Sequence, residues 1–135
     1  MKLTLIGGGG VRSPLFVSTA LRWHQRIGLS ELCLFDIDAR KLALFGALCR
    51  ELVHRSGDPF TLTTTTDAKE ALSGVAHAVT AIRVGFEQGR ALDERIALRH
   101  GVLGQETTGP GGFAMALRSI PAILGYARLL QELNP

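Results

Sequence analysis

Apolar and polar positions change period repeatedly along this chain. Residues 3–6 ("LTLI") are a short apolar run ending at glycine, the pattern of a buried strand. Beyond Pro14, the stretch carries Leu15, Phe16, Thr19, Leu21, Trp23 and Ile27 at spacings close to helical. That predicts an amphipathic helix with Ser13 as N-cap and Pro14 at its first position. Residues 31–38 ("ELCLFDID") read as a second strand that turns acidic at its carboxyl end. From Arg40 to His54, Leu42, Phe45, Leu48, Cys49, Leu52 and Val53 return to helical spacing. Residues 60–66 ("FTLTTTT") predict a third, Thr-rich strand, and 77–84 ("HAVTAIRV") a fourth. Between them, Asp67 followed by Glu70 resembles a capping box opening a short helix. Residues 87–100 predict a charged helix stopped at Gly101, residues 104–112 an irregular loop, and 113–133 a helix that Pro121 kinks or breaks. Strands alternating with crossover-length helices predict an α/β fold with a parallel sheet covered on both faces.

The polar interruptions carry the candidate chemistry. Gly7, Gly8, Gly9 and Gly10 follow the first strand and open the first helix, where a dinucleotide fold places its phosphate loop. Four exposed N–H groups and a helix amino-terminus would offer a pyrophosphate a partial positive pole, with Val11 and Arg12 completing the turn. A plain tight turn has the same composition, and Arg12 stands where the third fingerprint glycine would be. Asp36, at the end of the second strand, is placed to grip a ribose 2′-hydroxyl, which favours NAD over its 2′-phosphorylated form. The competing role for Asp36 is a strand-end turn, and Asp38 reads as a helix cap.

Composition excludes more than it assigns. The 135 residues amount to one domain's worth of chain, 46% apolar and 20% charged, which excludes a disordered class. The net charge of +3 is interleaved, so nothing in it points to nucleic acid. Cys33 and Cys49 sit in apolar stretches and read as buried thiols in a reducing compartment. No signal-peptide pattern and no apolar run of bilayer-crossing length is apparent, so the expected location is cytoplasmic, without a membrane partner.

A second polar group lies in the last third. Arg83, Arg90, Asp93, Glu94, Arg95, Gln105 and Glu106 cluster around the end of the fourth strand and the Gly-rich loop "GQETTGPGG". Loops at strand carboxyl ends line the ligand crevice of a doubly wound sheet, so Arg83 and Arg90 could fork onto a phosphate or polyol. By spacing alone, Arg90, Asp93, Glu94 and Arg95 read instead as a solvated helix face with local ion pairs.

With "IGGGGVRSP", "LFDID" and the long block "IRVGF…GRALDERIALRHGVLGQETTGPGGFAMALRSIP", the chain resembles glycoside hydrolase family 4, the NAD- and metal-dependent glycosidases. Within that family it looks most like the 6-phospho-β-glucosidases, which Thr107-Thr108 in the Gly-rich loop favours over the phospho-α-glucosidases. The resemblance implies a Rossmann-like, doubly wound parallel sheet, cut short before its later strands, with residues 1–135 as the NAD-binding domain. It implies hydrolysis of 6-phospho-β-glucosides by oxidation at C3, proton loss at C2, elimination, addition of water and reduction. NAD is recycled and a divalent metal, typically manganese, polarises the C3 oxygen. Gly7–Gly10, Val11, Arg12, Asp36 and Arg83 are then expected at the cofactor and Arg90 at the substrate. Glu106 is expected beside a tyrosine base, whose basicity it raises. The tyrosine and the metal-binding Cys and His are expected outside this chain, no metal site within it, and a homo-oligomer for the full-length enzyme. On that reading the chain alone is inactive. Tyr126 lies mid-helix like a packing residue, and His24, His54, His77 and His100 are dispersed. A lactate/malate-type dehydrogenase and a non-catalytic NAD-binding module are the alternatives that the glycine loop and Asp36 leave open.

Overall fold

The computed structural model describes every residue from Met1 to Pro135. The chain forms two compact units, Met1–Ile82 with Leu129–Pro135, and Arg83–Arg128.

The first unit is built on four parallel strands, β1 (Lys2–Ile6), β2 (Glu31–Phe35), β3 (Thr61–Thr65) and β4 (His77–Thr80), in the spatial order β3-β2-β1-β4. Helices α1 (Ser13–Ile27), α2 (Ala39–Arg55) and α3 (Ala68–Leu72) make the crossovers. Side chains alternate across the sheet. Leu3, Leu5, Leu32 and Leu34 join Val17 and Ala20 of α1 and Leu42, Cys49 and Val53 of α2 in one buried core. The intervening residues point the other way. Thr4, fully buried, donates its hydroxyl to the Ala71 carbonyl of α3, so the opposite face is covered too. Helices on both faces and a strand order that reverses beside β1 define the Rossmann-like doubly wound fold.

Element ends differ from the sequence reading for local reasons. Strand β2 stops at Phe35, because the Phe35 carbonyl accepts the Gly7 and Gly8 N–H groups (both 2.8 Å) and Asp38 begins a cap. Asp38 does cap α2, its Oδ1 accepting the Arg40 and Lys41 amides at 3.1 and 3.0 Å. Ser13 is not the N-cap of α1. It is the first helical residue, buried, and its N–H is taken by the Gly10 carbonyl at 3.0 Å, so loop backbone does the capping. Asp67 caps α3 as expected, but Glu70 does not reach back to it. Glu70 accepts the Thr65 hydroxyl instead, and Thr65 Oγ1 accepts the Asp67 N–H at 3.1 Å.

The second unit carries α4 (Phe86–Arg99) and most of α5 (Gly109–Leu133). Gly101, at φ +69°, ends α4 by the left-handed route open to glycine. Helix α5 starts earlier than expected, at Gly109 instead of Phe113, with Pro110 in the first turn, where a missing N–H costs nothing. It continues through Pro121 without a break. By length and apolarity α5 could cross a bilayer, with a window of mean hydropathy 1.3, contrary to the expectation that no run was long enough. None of that window is buried: Phe113, Leu117, Ile120 and Leu124 are all exposed.

Packing is close at the β1–α1 turn. A methyl group on Gly8 would sit 2.6 Å from Leu34 Cβ, inside the core layer of β2. Gly8→Ala is expected to cost about 1–3 kcal/mol in urea unfolding, as overpacked sites do. Gly10→Ala, whose methyl would meet only the Gly7 carbonyl at 3.3 Å, should cost clearly less.

Candidate functional site

The residues expected at the cofactor fall in both units: Gly7–Arg12 and Asp36 in the first, and Arg83 in the second beside Arg90 and Glu106. In the first unit, the structure brings Gly7–Arg12 together with Asp36. Gly7 has φ +98°, and a Cβ there would collide with the Ala81 carbonyl at the end of β4. Gly9 faces Asp36, which would lie 2.9 Å from an added Cβ. The glycines are therefore required by protein packing on three sides: β4, β2 and the Asp36 turn.

That changes which amides are available. The sequence suggested four exposed glycine N–H groups, but all four are used internally. Gly7 and Gly8 donate to the Phe35 carbonyl, Gly9 to Asp36 Oδ2 at 2.9 Å, and Gly10 to the Gly7 carbonyl at 3.2 Å. The amides without an acceptor are those of Val11 and Arg12, both exposed at the start of α1. The positive pole of the helix is thus presented one residue beyond the glycines. Asp36 is half-buried, with Oδ1 accepting the Asp38 N–H at 2.9 Å. The strand-end turn is real, and it holds the carboxylate in place at the carboxyl ends of β1 and β2. A carboxylate in two amide hydrogen bonds keeps further lone pairs for a hydroxyl.

In the second unit, Arg83, Arg90 and Glu106 meet. Glu106 Oε2 accepts from Arg83 Nη1 at 2.9 Å and lies 3.2 Å from Arg90 Nε. Arg90 Nε also donates to Glu94 at 2.8 Å, and Glu87 lies 3.8 Å from both arginines. The Glu94 hydrogen bond, with the Glu106 and Glu94 charges behind it, raises the Arg90 pKa above its ordinary value. Arg90 therefore makes the local helix pairs that its spacing suggested and also reaches the Gly-rich loop. That loop is organised by Gln105, whose Oε1 accepts the Thr107 and Thr108 amides, both at 2.6 Å. Gly111 and Gly112 press against its carbonyls so closely that a side chain at either would collide with Gln105 or Thr107 backbone.

Asp93 was expected on a solvated face. It is 6% exposed and forms a two-pronged pair with Arg118 of α5, at 2.7 and 2.5 Å. Arg118 was not among the candidates, yet it is the one charge between Phe113 and Tyr126, and a lone cation in an apolar run needs a partner. Arg83, Arg90, Glu106, Asp93 and Arg118 line one small cleft. No group of three or more His, Cys, Asp or Glu side chains converges to hold a metal ion.

A model of the family 4 glycosyl hydrolases matches residues 2–135. The chain belongs to that family. The family 4 chain is 40% identical to the probable 6-phospho-beta-glucosidase of Bacillus subtilis over its whole length, which is 31% of that protein. It is also 40% identical, over 97% of its length, to the 6-phospho-alpha-glucosidase 1 of Lacticaseibacillus paracasei, of which it covers 30%. The 6-phospho-beta glucosidase of Thermotoga maritima, solved with manganese, NAD+ and glucose-6-phosphate, superposes with a TM-score of 0.92 at 30% identity. That match covers 98% of this chain and 33% of the solved one. The chain thus spans about a third of its relatives' length.

The Arg118 hydrogen bonds hold the Asp93 carboxyl below its usual pKa. A carboxyl with a depressed folded pKa contributes stability above its unfolded pKa and loses it as pH falls through the folded value. Urea unfolding followed from about pH 6 to about pH 2 should therefore show an acid limb that Asp93→Asn flattens. An identical limb in the variant would assign the acid sensitivity to other groups.

Proposed function

We propose that this chain supplies the NAD site and part of the substrate site of a cytoplasmic, homo-oligomeric glycosidase that hydrolyses 6-phospho-β-glucosides. Family membership over residues 2–135 carries the reaction class. The cofactor residues fit the geometry: a bound pyrophosphate would meet the free Val11 and Arg12 amides, and Asp36 would accept a ribose hydroxyl. Bound NAD would take a hydride from the sugar and later return it. The chain's own work is then to hold the dinucleotide and orient the sugar. In this reading Arg90 contacts the sugar, and Glu106, held by Arg83, raises the basicity of a tyrosine supplied from outside this chain. The residues present here do not form a manganese site; in this reading the metal-binding Cys and His come from outside this chain.

The β-anomer is favoured by Thr107-Thr108 in the Gly-rich loop, where the phospho-α-glucosidases tend to carry a cysteine at the second position. The equal identity to a phospho-alpha-glucosidase supports the α-anomer as the second reading. The full-length enzyme, given p-nitrophenyl-β-glucoside 6-phosphate, NAD and manganese, should release phenolate without net NADH. Accumulating NADH would indicate a dehydrogenase, and faster turnover of the α-anomer would reverse the anomer assignment.

The cofactor assignment has its own check. Asp36→Ala should weaken NAD binding by about 1.5–3 kcal/mol by calorimetry, as expected for a lost charged hydrogen bond. The Gly9 and Asp38 amides lose their acceptor in that variant, so Asp36→Asn serves as the control that keeps one. Unchanged affinity in both would remove Asp36 from the site.

A further inference from the structure

The charged cleft of the second unit has a member, Arg118, that is tied to two other segments of the chain. Arg118 sends Nη1 and Nη2 to the two Asp93 oxygens and Nε to the Val84 carbonyl at 3.3 Å. Its guanidinium lies over Gly85 and Gly89, where an added Cβ would come within 3.1 and 3.2 Å of it. One side chain from α5 therefore pins two other segments. The first is the backbone at Val84, adjacent to Arg83. The second is α4 at Asp93, one turn along from Arg90 and adjacent to Glu94. The loop bearing Glu106 is in turn seated on the start of α5 through Gly111 and Gly112. Arg83, Arg90 and Glu106 come from three separate stretches of chain, and Arg118 or its helix fixes the base of each.

We infer that Arg118, locked on Asp93, is a positioning residue that sets Arg90 and Glu106 for the substrate, an inference that rests on the function proposed above. The fork geometry matters for this role. A lysine keeps the charge but has no planar pair of donors for both carboxylate oxygens and no third for Val84.

The test uses the full-length enzyme. Arg118→Lys should raise KM for the 6-phosphoglucoside and lower kcat/KM by about 100-fold, the scale of a misplacement near one ångström. NAD affinity should change little, because the Gly7–Arg12 turn and Asp36 lie in the first unit. Combined with Arg90→Lys, it should cost little beyond Arg90→Lys alone, because both disturb one contact. The double variant Asp93→Leu/Arg118→Met replaces the pair with apolar groups, a change that often preserves stability. Here it should restore thermal stability without restoring kcat/KM. Activity recovered along with stability would show a scaffold role only and overturn the inference, as would multiplicative effects with Arg90→Lys. Should the unmodified enzyme cleave no 6-phosphoglucoside, the functional reading falls instead. The crystal structure of Arg118→Lys then decides: Glu106 displaced from Arg83 and Arg90 supports the positioning role, and Glu106 unmoved refutes it.

Discussion

The first unit depends on how closely the backbone after β1 can approach its neighbours. Gly7 lies against the end of β4, Gly8 against Leu34 and Gly9 against Asp36, and none of the three has room for a methyl group. Because the chain turns so tightly, the Gly7 and Gly8 amides both reach one carbonyl of β2, and α1 starts directly over the strand ends. Widening this turn would shift α1 against α2, since Val17 and Ala20 share their core with Leu42 and Cys49. Packing and ligand presentation are set by the same few atoms.

Asp36 illustrates that economy. Its carboxylate accepts the Gly9 amide with one oxygen and the Asp38 amide with the other, joining the glycine turn to the start of α2. Asp38 then caps α2. A hydroxyl-binding carboxylate held from behind by two backbone donors has lost most of its rotational freedom before any ligand arrives. That is preorganisation, and it lowers the ordering cost of binding.

The strand and helix order was legible in the sequence because buried parallel strands and amphipathic helices differ so plainly in period. Asp38 and Asp67 were legible as caps for the same reason: a short acceptor just before a helical pattern has few other uses. What escaped the sequence depended on which partner a group would choose. The glycine amides looked free, since nothing in "GGGG" announces that Phe35 and Asp36 would take them. Ser13 looked like a cap until loop backbone claimed that place. Arg118 was overlooked and Asp93 placed on the surface, because their pairing spans 25 residues and appears in no local spacing. The Arg90 and Glu106 contact escaped the sequence too: the two were grouped near the end of the fourth strand, but nothing in the sequence paired them.

The Arg118 guanidinium has a consequence for where α5 can reside. Helix α5 carries Arg118, Arg128 and Glu132, yet by mean hydropathy it is apolar enough to be taken up by a lipid bilayer, and its Phe113, Leu117, Ile120 and Leu124 would be well solvated there. Arg118 falls well inside it, and an arginine near the centre of a spanning helix disfavours insertion by roughly 2.5–3.5 kcal/mol on insertion scales. Insertion would also strip Asp93 of its partner and leave a carboxylate unpaired. A paired charge inside an apolar stretch thus weighs against insertion of the whole segment.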